Sequence, residues 1–191
     1  MTRIISGLAG GRRLVTPPGS GTRPTSDRVR EAVFGRLEHL DAITGSHVVD
    51  LYAGSGALGL EAVSRGAVSA LLVESDRKAA ATIDKNVRHL GLAGVQVRAG
   101  TVEAVVSAPL SPLADLVFLD PPYAVGDEAL AGVLAGLVEH GSLAVDALLV
   151  VERSSRSAEP MWPAGVELIG PRRYGETTCW FAEYVPEGDT A

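Results

Sequence analysis

The sequence predicts an α/β fold in which a mainly parallel sheet, covered by helices, ends in an antiparallel hairpin. From residue 46 onward, short apolar runs typical of strands alternate with segments of helical periodicity. This alternation favours a parallel sheet with helices on both faces. The last two strand-like runs, at 165–173 and 177–184, are separated only by Tyr174-Gly175-Glu176. No crossover helix fits there, so these two runs are expected to pair antiparallel.

The remaining elements follow in chain order. Residues 3–24 mix short apolar pieces with Gly-Gly and Pro-Pro, which predicts a small hairpin or extended arm. Thr25 or Ser26 can cap a helix whose apolar stripe leaves Arg28, Arg30 and Arg36 off the buried face. We then expect strands at 47–51, 70–74, 95–98, 115–119 and 147–152, and helices at 58–65, 77–90, 102–107 and 128–140.

The composition is that of one globular domain. The chain has 191 residues, 46% hydrophobic and 21% charged, and a single cysteine, Cys179, that cannot form an intramolecular disulfide. No Cys/His cluster has metal-site spacing, no apolar run approaches a membrane span, and the N-terminal residues lack a signal-peptide core. We therefore expect a cytoplasmic protein without metal or membrane partner. It divides into a basic N-terminal segment (1–40), a main domain (41–185) and a loose tail (186–191).

Charge is distributed unevenly along the chain. Residues 1–36 hold seven arginines against Asp27 and Glu31, a net +5, whereas the remainder holds ten basic and 21 acidic residues, a net −11. Arginine side chains match phosphate oxygens well, so an arginine-rich arm on an acidic body suggests a phosphate-bearing partner. A solvated surface with chance clustering is the alternative. The candidate phosphate-binding residues are Arg3, Arg12, Arg13, Arg23, Arg28 and Arg30.

A glycine-rich loop follows the first strand of the α/β region. Gly54, Gly56 and Gly59 match G-x-G-x-x-G between a strand and a helix, where glycine allows a tight turn and a close approach to a ligand. Glu74 ends the next strand and can accept ribose hydroxyls, which indicates an adenosine-bearing ligand. The pattern fits NAD or S-adenosylmethionine; Asp50 before the glycines and the C-terminal hairpin favour the sulfonium cofactor. The candidate cofactor-binding residues are Asp50, Tyr52, Ala53, Gly54, Ser55, Gly56, Gly59, Glu74, Thr101 and Val102.

The motif Asp120-Pro121-Pro122-Tyr123 directly follows the strand at 115–119, at the sheet edge where ligands bind. An exocyclic amino group is a poor nucleophile because its lone pair is delocalised into the ring. Acceptors on its two N–H bonds, the Asp120 carboxylate and a backbone carbonyl such as that of Pro121, can aim the lone pair at a methyl donor. Tyr123 can stack on a flipped base. The motif alone allows adenine N6, guanine N2 or a glutamine amide.

Several segments together resemble one family. Residues 3–7, 22–34, 50–67 and 120–123 are similar to those of the RsmD-type bacterial 16S ribosomal RNA guanine-N2 methyltransferases. The resemblance implies a Rossmann-like seven-stranded class I methyltransferase sheet with a C-terminal antiparallel hairpin and a small N-terminal extension that binds RNA. It also implies S-adenosyl-L-methionine as cofactor, and as substrate one guanine, position 966 in the usual RNA numbering, of 16S rRNA in the small subunit or its assembly intermediate. The family's acidic adenine contact after the third strand is replaced here by Gly100-Thr101-Val102, where a backbone group can substitute.

Three alternatives remain at this point. An adenine-N6 methyltransferase would use the same motif, but the chain has no separate domain for reading a DNA sequence. An assembly factor with an idle site is disfavoured by the intact Asp120 and Tyr123, and a dehydrogenase would bind NAD. Cys179 lies in an apolar run beside Trp180 and Phe181, so we expect it to be a core thiol rather than a nucleophile.

Overall fold

The computed structural model describes residues 2–17 and 26–186. Its helices are α1 (Asp27–His39), α2 (Ala57–Ser64), α3 (Arg77–Leu90), α4 (Val102–Val106) and α5 (Asp127–Glu139). Its strands are β1 (His47–Asp50), β2 (Ser69–Glu74), β3 (Val95–Ala99), β4 (Ala114–Leu119), β5 (Leu143–Ser154), β6 (Val166–Tyr174) and β7 (Thr177–Tyr184).

All seven strands form one sheet in the order β3-β2-β1-β4-β5-β7-β6. Strands β1 to β5 are parallel, whereas β7 runs antiparallel to both β5 and β6. The predicted α/β class and the C-terminal antiparallel hairpin are both confirmed. Because β1 and β4 are adjacent at the centre, their carboxyl ends bring the glycine loop and the Asp120 motif to the same edge of the sheet.

Two apolar cores cover the two faces of the sheet. Helices α1, α2 and α3 bury side chains such as Phe34, Leu60 and Ile83 on one face, while α4 and α5 bury Val105 and Leu134 on the other. Fully burying side chains of this size contributes roughly 1.5–3 kcal/mol each. Cys179 belongs to the first core and is completely buried, as expected of a packing thiol, and burial raises its pKa.

Strand β5 is longer than the sequence suggested, because it begins at Leu143 rather than at residue 147. Asp146 has a left-handed backbone (φ 62°), and the pairing with β4 shifts register between Ala114 and Leu116. Such an irregularity interrupts the alternation of apolar side chains that identifies a strand. At its other end the strand continues to Ser154 through pairing with β7.

Residues 2–17, which we call the N-terminal arm, fold back on themselves through a bridge between Arg3 and Arg13. This agrees with the predicted hairpin; residues 18–24 of that prediction lie outside the described residues. The arm packs on α2, where the buried Glu61 carboxylate accepts the amide N–H groups of Ile5 (2.7 Å) and Ser6 (3.0 Å). The arm is thus fixed to the domain by directed hydrogen bonds as well as by apolar packing.

Arg30 does not lie off the buried face of α1, which corrects the prediction for this residue. It shares that face with Val33 and Leu37, is only 1% exposed, and donates hydrogen bonds to the Arg3 carbonyl and the Asp27 carboxylate. Burial lowers its pKa. The turn spacing of 3.6 residues aligns position 30 with 33, 34 and 37, and a long arginine satisfies its charge there by reaching the arm. Arg30 is therefore a structural residue and is not exposed for RNA binding.

Candidate active site

An acidic side chain of the neighbouring strand β2, Glu74, holds the glycine loop in place. The amide N–H of Gly54 donates to Glu74 Oε2 (2.9 Å), and the amide of Asp76 donates to Glu74 Oε1 (2.8 Å). Gly54 has a left-handed backbone (φ 57°), and a side-chain carbon placed on it would meet no atom within 4 Å. The loop therefore faces open space at Gly54. A carboxylate has about four acceptor positions, so Glu74 keeps capacity for the hydroxyl groups of a ligand.

Asp50 is a buried carboxyl group at the base of this loop, with only 1% of its surface exposed. Its Oδ2 accepts the Gly59 amide (3.0 Å), whereas its Oδ1 has no hydrogen-bond partner among the described residues. Burial raises the pKa of Asp50 to about 7. Burying a carboxylate oxygen without a hydrogen-bond partner costs free energy unless a cation or a hydrogen-bond donor interacts with it. This site therefore suits a positively charged ligand group.

Other predicted cofactor residues shape the loop without facing its open side. Ala53 and Gly56 are buried, and their amide groups donate to the Val73 carbonyl (3.0 Å) and the Ala53 carbonyl (2.7 Å). Gly56 starts α2 with φ 80°, and an added side-chain carbon would lie 3.0 Å from Ile83, Leu60 and Leu72. This position requires glycine because its backbone is left-handed and because the neighbouring side chains leave no room for a larger residue.

The remaining predicted cofactor residues lie around the loop and at the start of α4. Tyr52 is half-buried, and its hydroxyl has no hydrogen-bond partner among the described residues; burial raises its pKa to about 12. Thr101 caps α4 by accepting the Ala104 amide (3.3 Å). The side chain of Val102 lies in the core, so a ligand contact at this residue would have to use its backbone.

Asn86, which sequence analysis missed, connects the N-terminal arm to the glycine loop. This fully buried residue of α3 donates from Nδ2 to the carbonyls of Val15 (2.9 Å) and Ser55 (3.1 Å). Its Oδ1 accepts the Val15 amide (2.9 Å). An isolated polar residue on the apolar side of a helical pattern was the available signal, because such a residue must find internal partners.

The Asp120 motif forms one wall of a cavity of about 340 Å³. The other walls come from the start of α1, the end of β5 and the turn between β6 and β7. The lining residues are Ser26, Val29, Asp120, Pro121, Pro122, Tyr123, Glu152, Arg153, Ser154, Ser157, Tyr174, Glu176 and Thr177. The structure thus brings all four predicted catalytic residues to one cavity. It adds two carboxyl groups, a guanidinium and a second aromatic ring, which belong to β5, β6 and the β6–β7 turn and which the sequence identified only as structure.

Two features of the Asp120 motif bear on chemistry. The Pro122 carbonyl accepts the Val125 amide (2.9 Å), which fixes the turn and leaves the Pro121 carbonyl as the candidate second acceptor beside Asp120. Tyr123 is 80% exposed, so its ring face is accessible for stacking against a flat ligand.

Arg153 holds the segment that follows the motif. Its two terminal nitrogens donate to the Val125 carbonyl (3.0 Å) and to Asp127 Oδ1 (2.8 Å) at the start of α5. The side chain is only 10% exposed, which makes these bonds stronger than ones at an open surface. Arg153 therefore fixes the turn against β5.

Apart from the buried Arg30, the predicted RNA-binding arginines divide into three groups. Arg3, Arg13 and Arg28 are exposed, although Arg3 lies 3.3 Å from Asp27. Arg12 is also at the surface, but its guanidinium donates to the carbonyls of His89 and Leu90 at the end of α3, which gives it a structural role that the sequence did not suggest. Arg23 lies outside the described residues.

Within residues 2–17 and 26–186, no cluster of His, Cys, Asp or Glu side chains could hold a metal ion. Of the five described helices, none is both long and apolar enough to cross a membrane.

The sheet order with its antiparallel seventh strand, the glycine loop and the cavity at the Asp120 motif define a methyltransferase. Comparisons agree with this class. The family described as "Conserved hypothetical protein 95" matches residues 2–183. Ribosomal RNA small subunit methyltransferase D of Escherichia coli (strain K12) is 40% identical over 98% of this chain and 92% of its own length. The chain belongs to this family, the RsmD family.

Further relatives support the same assignment over most of the chain. Ribosomal RNA small subunit methyltransferase D of Haemophilus influenzae is 36% identical over 78% of this chain and 77% of its own length. The structure of the Escherichia coli protein yhhF has a TM-score of 0.85 and 31% identity, covering 97% of this chain and 99% of that one. The overall fold of this chain is therefore similar to that of the Escherichia coli protein over nearly its full length.

Proposed function

We propose that this protein transfers a methyl group from S-adenosylmethionine to the exocyclic N2 amino group of one guanine in 16S ribosomal RNA of the small subunit or its assembly intermediate. Relatives named as ribosomal RNA small subunit methyltransferase D support the RNA substrate. The single observation that carries the proposal is the cavity in which the Asp120 motif, the end of β5 and the β6–β7 turn meet, at the same edge of the sheet as the glycine loop.

The chain's own residues fit S-adenosylmethionine. The partnerless Oδ1 of the buried Asp50 suits the cationic methionine end, and Glu74 is placed to accept ribose hydroxyls while it holds Gly54. The open space at Gly54 allows the ligand to approach the backbone closely. When bound, S-adenosylmethionine supplies an electrophilic methyl group, so no metal or protein nucleophile is needed for the transfer.

The Asp120 motif activates the amino group by geometry. The Asp120 carboxylate accepts one amino N–H and the Pro121 carbonyl accepts the other, which turns the nitrogen lone pair out of the ring plane. As the amino nitrogen bonds to the methyl carbon, the methyl–sulfur bond breaks and its electron pair goes to the sulfur. The nitrogen becomes positively charged and acidic, and it releases a proton that the Asp120 carboxylate can accept. Tyr123 stacks on the base and holds it out of the RNA helix.

The acidic lining of the cavity favours guanine over adenine. Glu152 and Glu176 line the same cavity as Asp120. Next to its exocyclic amino group, guanine presents an N1–H donor, whereas adenine presents an N1 acceptor. A carboxylate beside Asp120 can therefore accept the guanine N1–H but would face a lone pair of adenine. We assign this role to Glu152, because β5 places it next to β4.

The experiment uses tritiated S-adenosylmethionine with unmethylated small ribosomal subunits and, separately, with DNA, followed by digestion and identification of the labelled nucleoside. The proposal predicts N2-methylguanosine from 16S rRNA. Asp120→Asn should abolish transfer and leave cofactor affinity nearly unchanged, because Asp50 and Glu74, which are proposed to hold the cofactor, are unaltered. N6-methyladenine as the product would refute guanine specificity while keeping the chemistry of the motif, and no transfer despite cofactor binding would favour an assembly factor with an idle site.

A further inference from the structure

Helix α3 has a continuous exposed face that is strongly basic. Its buried side includes Ala79, Ile83, Asn86 and Leu90. Its exposed positions are Arg77, Lys78, Ala81, Asp84, Lys85, Arg88 and His89. Four of these side chains are permanently basic and one is acidic, a net +3 on a chain whose total is −6. A concentration of cations on one helix of an acidic protein indicates an anionic partner.

Helix stability accounts for only part of this charge. Arg88 and His89 lie in the last turn, where cations interact favourably with the negative end of the helix dipole. Arg77 and Lys78 lie in the first turn, which contains no acidic residue. Cations oppose the positive end of the dipole there. The Asp76 carboxylate already caps this end by accepting the amides of Lys78 and Ala79, so the two cations do not stabilise the helix terminus and helix stability does not account for them.

These cations are not used within the described part of the chain. The ion pairs formed among residues 2–17 and 26–186 involve Arg3, Arg30, Arg65 and Arg153, and none involves α3. None of the described carboxylates therefore forms an ion pair with a cation of α3. An exposed group of this kind can release counterions when it meets a phosphate backbone.

The N-terminal arm adjoins this face. Arg12 donates to the Leu90 carbonyl (2.7 Å) and to the His89 carbonyl, immediately after Arg88. Arg13, the next residue of the arm, is exposed. From Arg77 to Arg88 the helix extends about 16 Å along its axis, so α3 and the arm form a basic band rather than a point site. We call this surface the α3 band.

We propose that the α3 band binds the phosphate backbone of the target RNA at a distance from the catalytic cavity. This proposal rests on the RNA substrate of the proposed function and extends its binding surface beyond the arm. Helix α3 packs against β2 and β3 at one end of the sheet, whereas the cavity lies at β4, β5 and the β6–β7 turn. The α3 band lies on one side of the glycine loop and the cavity on the other, so phosphate contacts at the band orient the RNA over the cavity. These phosphate contacts carry no base specificity.

The first test neutralises the first turn with Arg77→Gln/Lys78→Gln. A purely structural role predicts unchanged or higher thermal stability and unchanged RNA affinity, because removing these cations relieves the helix dipole. The α3 band predicts affinity for unmethylated small ribosomal subunits and for naked 16S rRNA reduced on the order of tenfold, with a log–log salt slope shallower by about 1.5. Lys85→Gln/Arg88→Gln should have the same effect. Asp84→Asn should raise affinity, because it removes the only carboxylate of the face.

A matched control changes the net charge equally on the opposite face of the sheet. Ala129→Glu/Gly132→Glu adds two negative charges at exposed positions of α5 and should lower RNA affinity much less than either α3 pair. If the control and the α3 variants lose RNA affinity equally, the effect comes from the net charge of the protein, and the α3 band is overturned. Unchanged affinity in the α3 variants, with normal N2-methylguanosine formation by the wild type, would refute the band and leave the proposed function intact. If the wild type neither binds nor methylates RNA, both the α3 band and the proposed function are refuted. If the α3 variants lose RNA affinity but the labelled nucleoside is not N2-methylguanosine, the α3 band is supported and guanine specificity is refuted.

Discussion

The buried amide of Asn86 joins Ser55 of the glycine loop to the N-terminal arm, because its Nδ2 donates to the Ser55 carbonyl (3.1 Å) as well as to the Val15 carbonyl (2.9 Å). The arm and the cofactor loop therefore share one hydrogen-bonding residue. A displacement of the arm would therefore disturb the hydrogen bond between Asn86 and the loop. The geometry links the segment expected to meet RNA with the segment expected to hold the cofactor.

Replacing Asn86 with alanine should weaken both contacts. The Val15 and Ser55 groups would lose their partners, at a cost of about 1–3 kcal/mol in the free energy of unfolding, and S-adenosylmethionine affinity should fall because the loop is less fixed. Urea unfolding and calorimetric titration measure the two effects. Thr82→Ala on the same helix removes only a bond to the Lys78 carbonyl and should leave cofactor affinity unchanged. A normal affinity in Asn86→Ala would contradict the link.

Asp50 should make the stability of the ligand-free protein depend on pH. Its pKa is about 7 in the folded chain against an ordinary value of 3.8, so the folded state binds the proton more tightly. The free energy of unfolding should therefore fall as pH rises from about 4 to about 7 and stay level above that, by at most roughly 4 kcal/mol. Asp50→Asn should remove this part of the slope in urea unfolding measured across the same range. Identical slopes in the two proteins would show that Asp50 is not the titrating group.

The same group should make cofactor binding depend on pH in the opposite sense. Below about pH 7 the Asp50 carboxyl is protonated and cannot pair with a cationic ligand group, so S-adenosylmethionine affinity should fall by up to about tenfold per pH unit. Calorimetric titration in two buffers of different ionisation enthalpy should show proton release on binding at about pH 6. Asp50→Asn should bind weakly at every pH and release no proton. A pH-independent affinity in the wild type would remove the cationic contact from the proposal.

Arg28 and Arg30 give a matched pair on one helix. Arg28 is exposed and Arg30 is buried, so Arg28→Ala should lower RNA affinity and make the salt slope shallower by about 1, with stability within about 0.5 kcal/mol of the wild type. Arg30→Ala should instead destabilise the fold by roughly 2 kcal/mol, because it leaves a cavity and removes the bonds to Arg3 and Asp27. RNA titration and thermal unfolding distinguish the two. Equal RNA effects without a stability difference would contradict the buried position of Arg30.

The sequence predicted most of the architecture because the sheet residues follow simple periodicity. Strand β7 and helix α3 have the predicted bounds, since each has an uninterrupted pattern and a clear cap or turn at its ends. The limits of β5 were missed because Asp146 adopts a left-handed backbone, which no apolar pattern reveals. Arg30 was misplaced because a charged residue on a buried face looks like an exposed one until its partners are known.

The candidate site was predictable where its residues are adjacent in sequence and not where they come from distant strands. Asp120 to Tyr123 form one continuous motif, and Glu74 is the last residue of β2, the first strand after the glycine loop. Glu152 reaches the cavity because β5 pairs with β4, and Tyr174 reaches it because β7 pairs with both β5 and β6. That pairing places the β6–β7 turn beside the end of β4, a relation that requires the sheet order rather than local spacing.

Arg153 provides a test of how strictly the Asp120 motif must be held. Its two nitrogens contact Val125 and Asp127, and a lysine ammonium cannot reproduce this planar two-point contact. Arg153→Lys should therefore lower kcat for methyl transfer by roughly tenfold, because a small displacement of Asp120 disturbs the aim of the amino lone pair. Cofactor affinity should be unchanged, since the glycine loop is held by Glu74 and Asn86. Arg156→Lys, at an exposed position nearby, serves as the control in single-turnover measurements. A normal rate for Arg153→Lys would show that the hydrogen bond between Pro122 and Val125 is sufficient to hold the turn. An equal loss of rate in Arg156→Lys would indicate that RNA binding is the affected step.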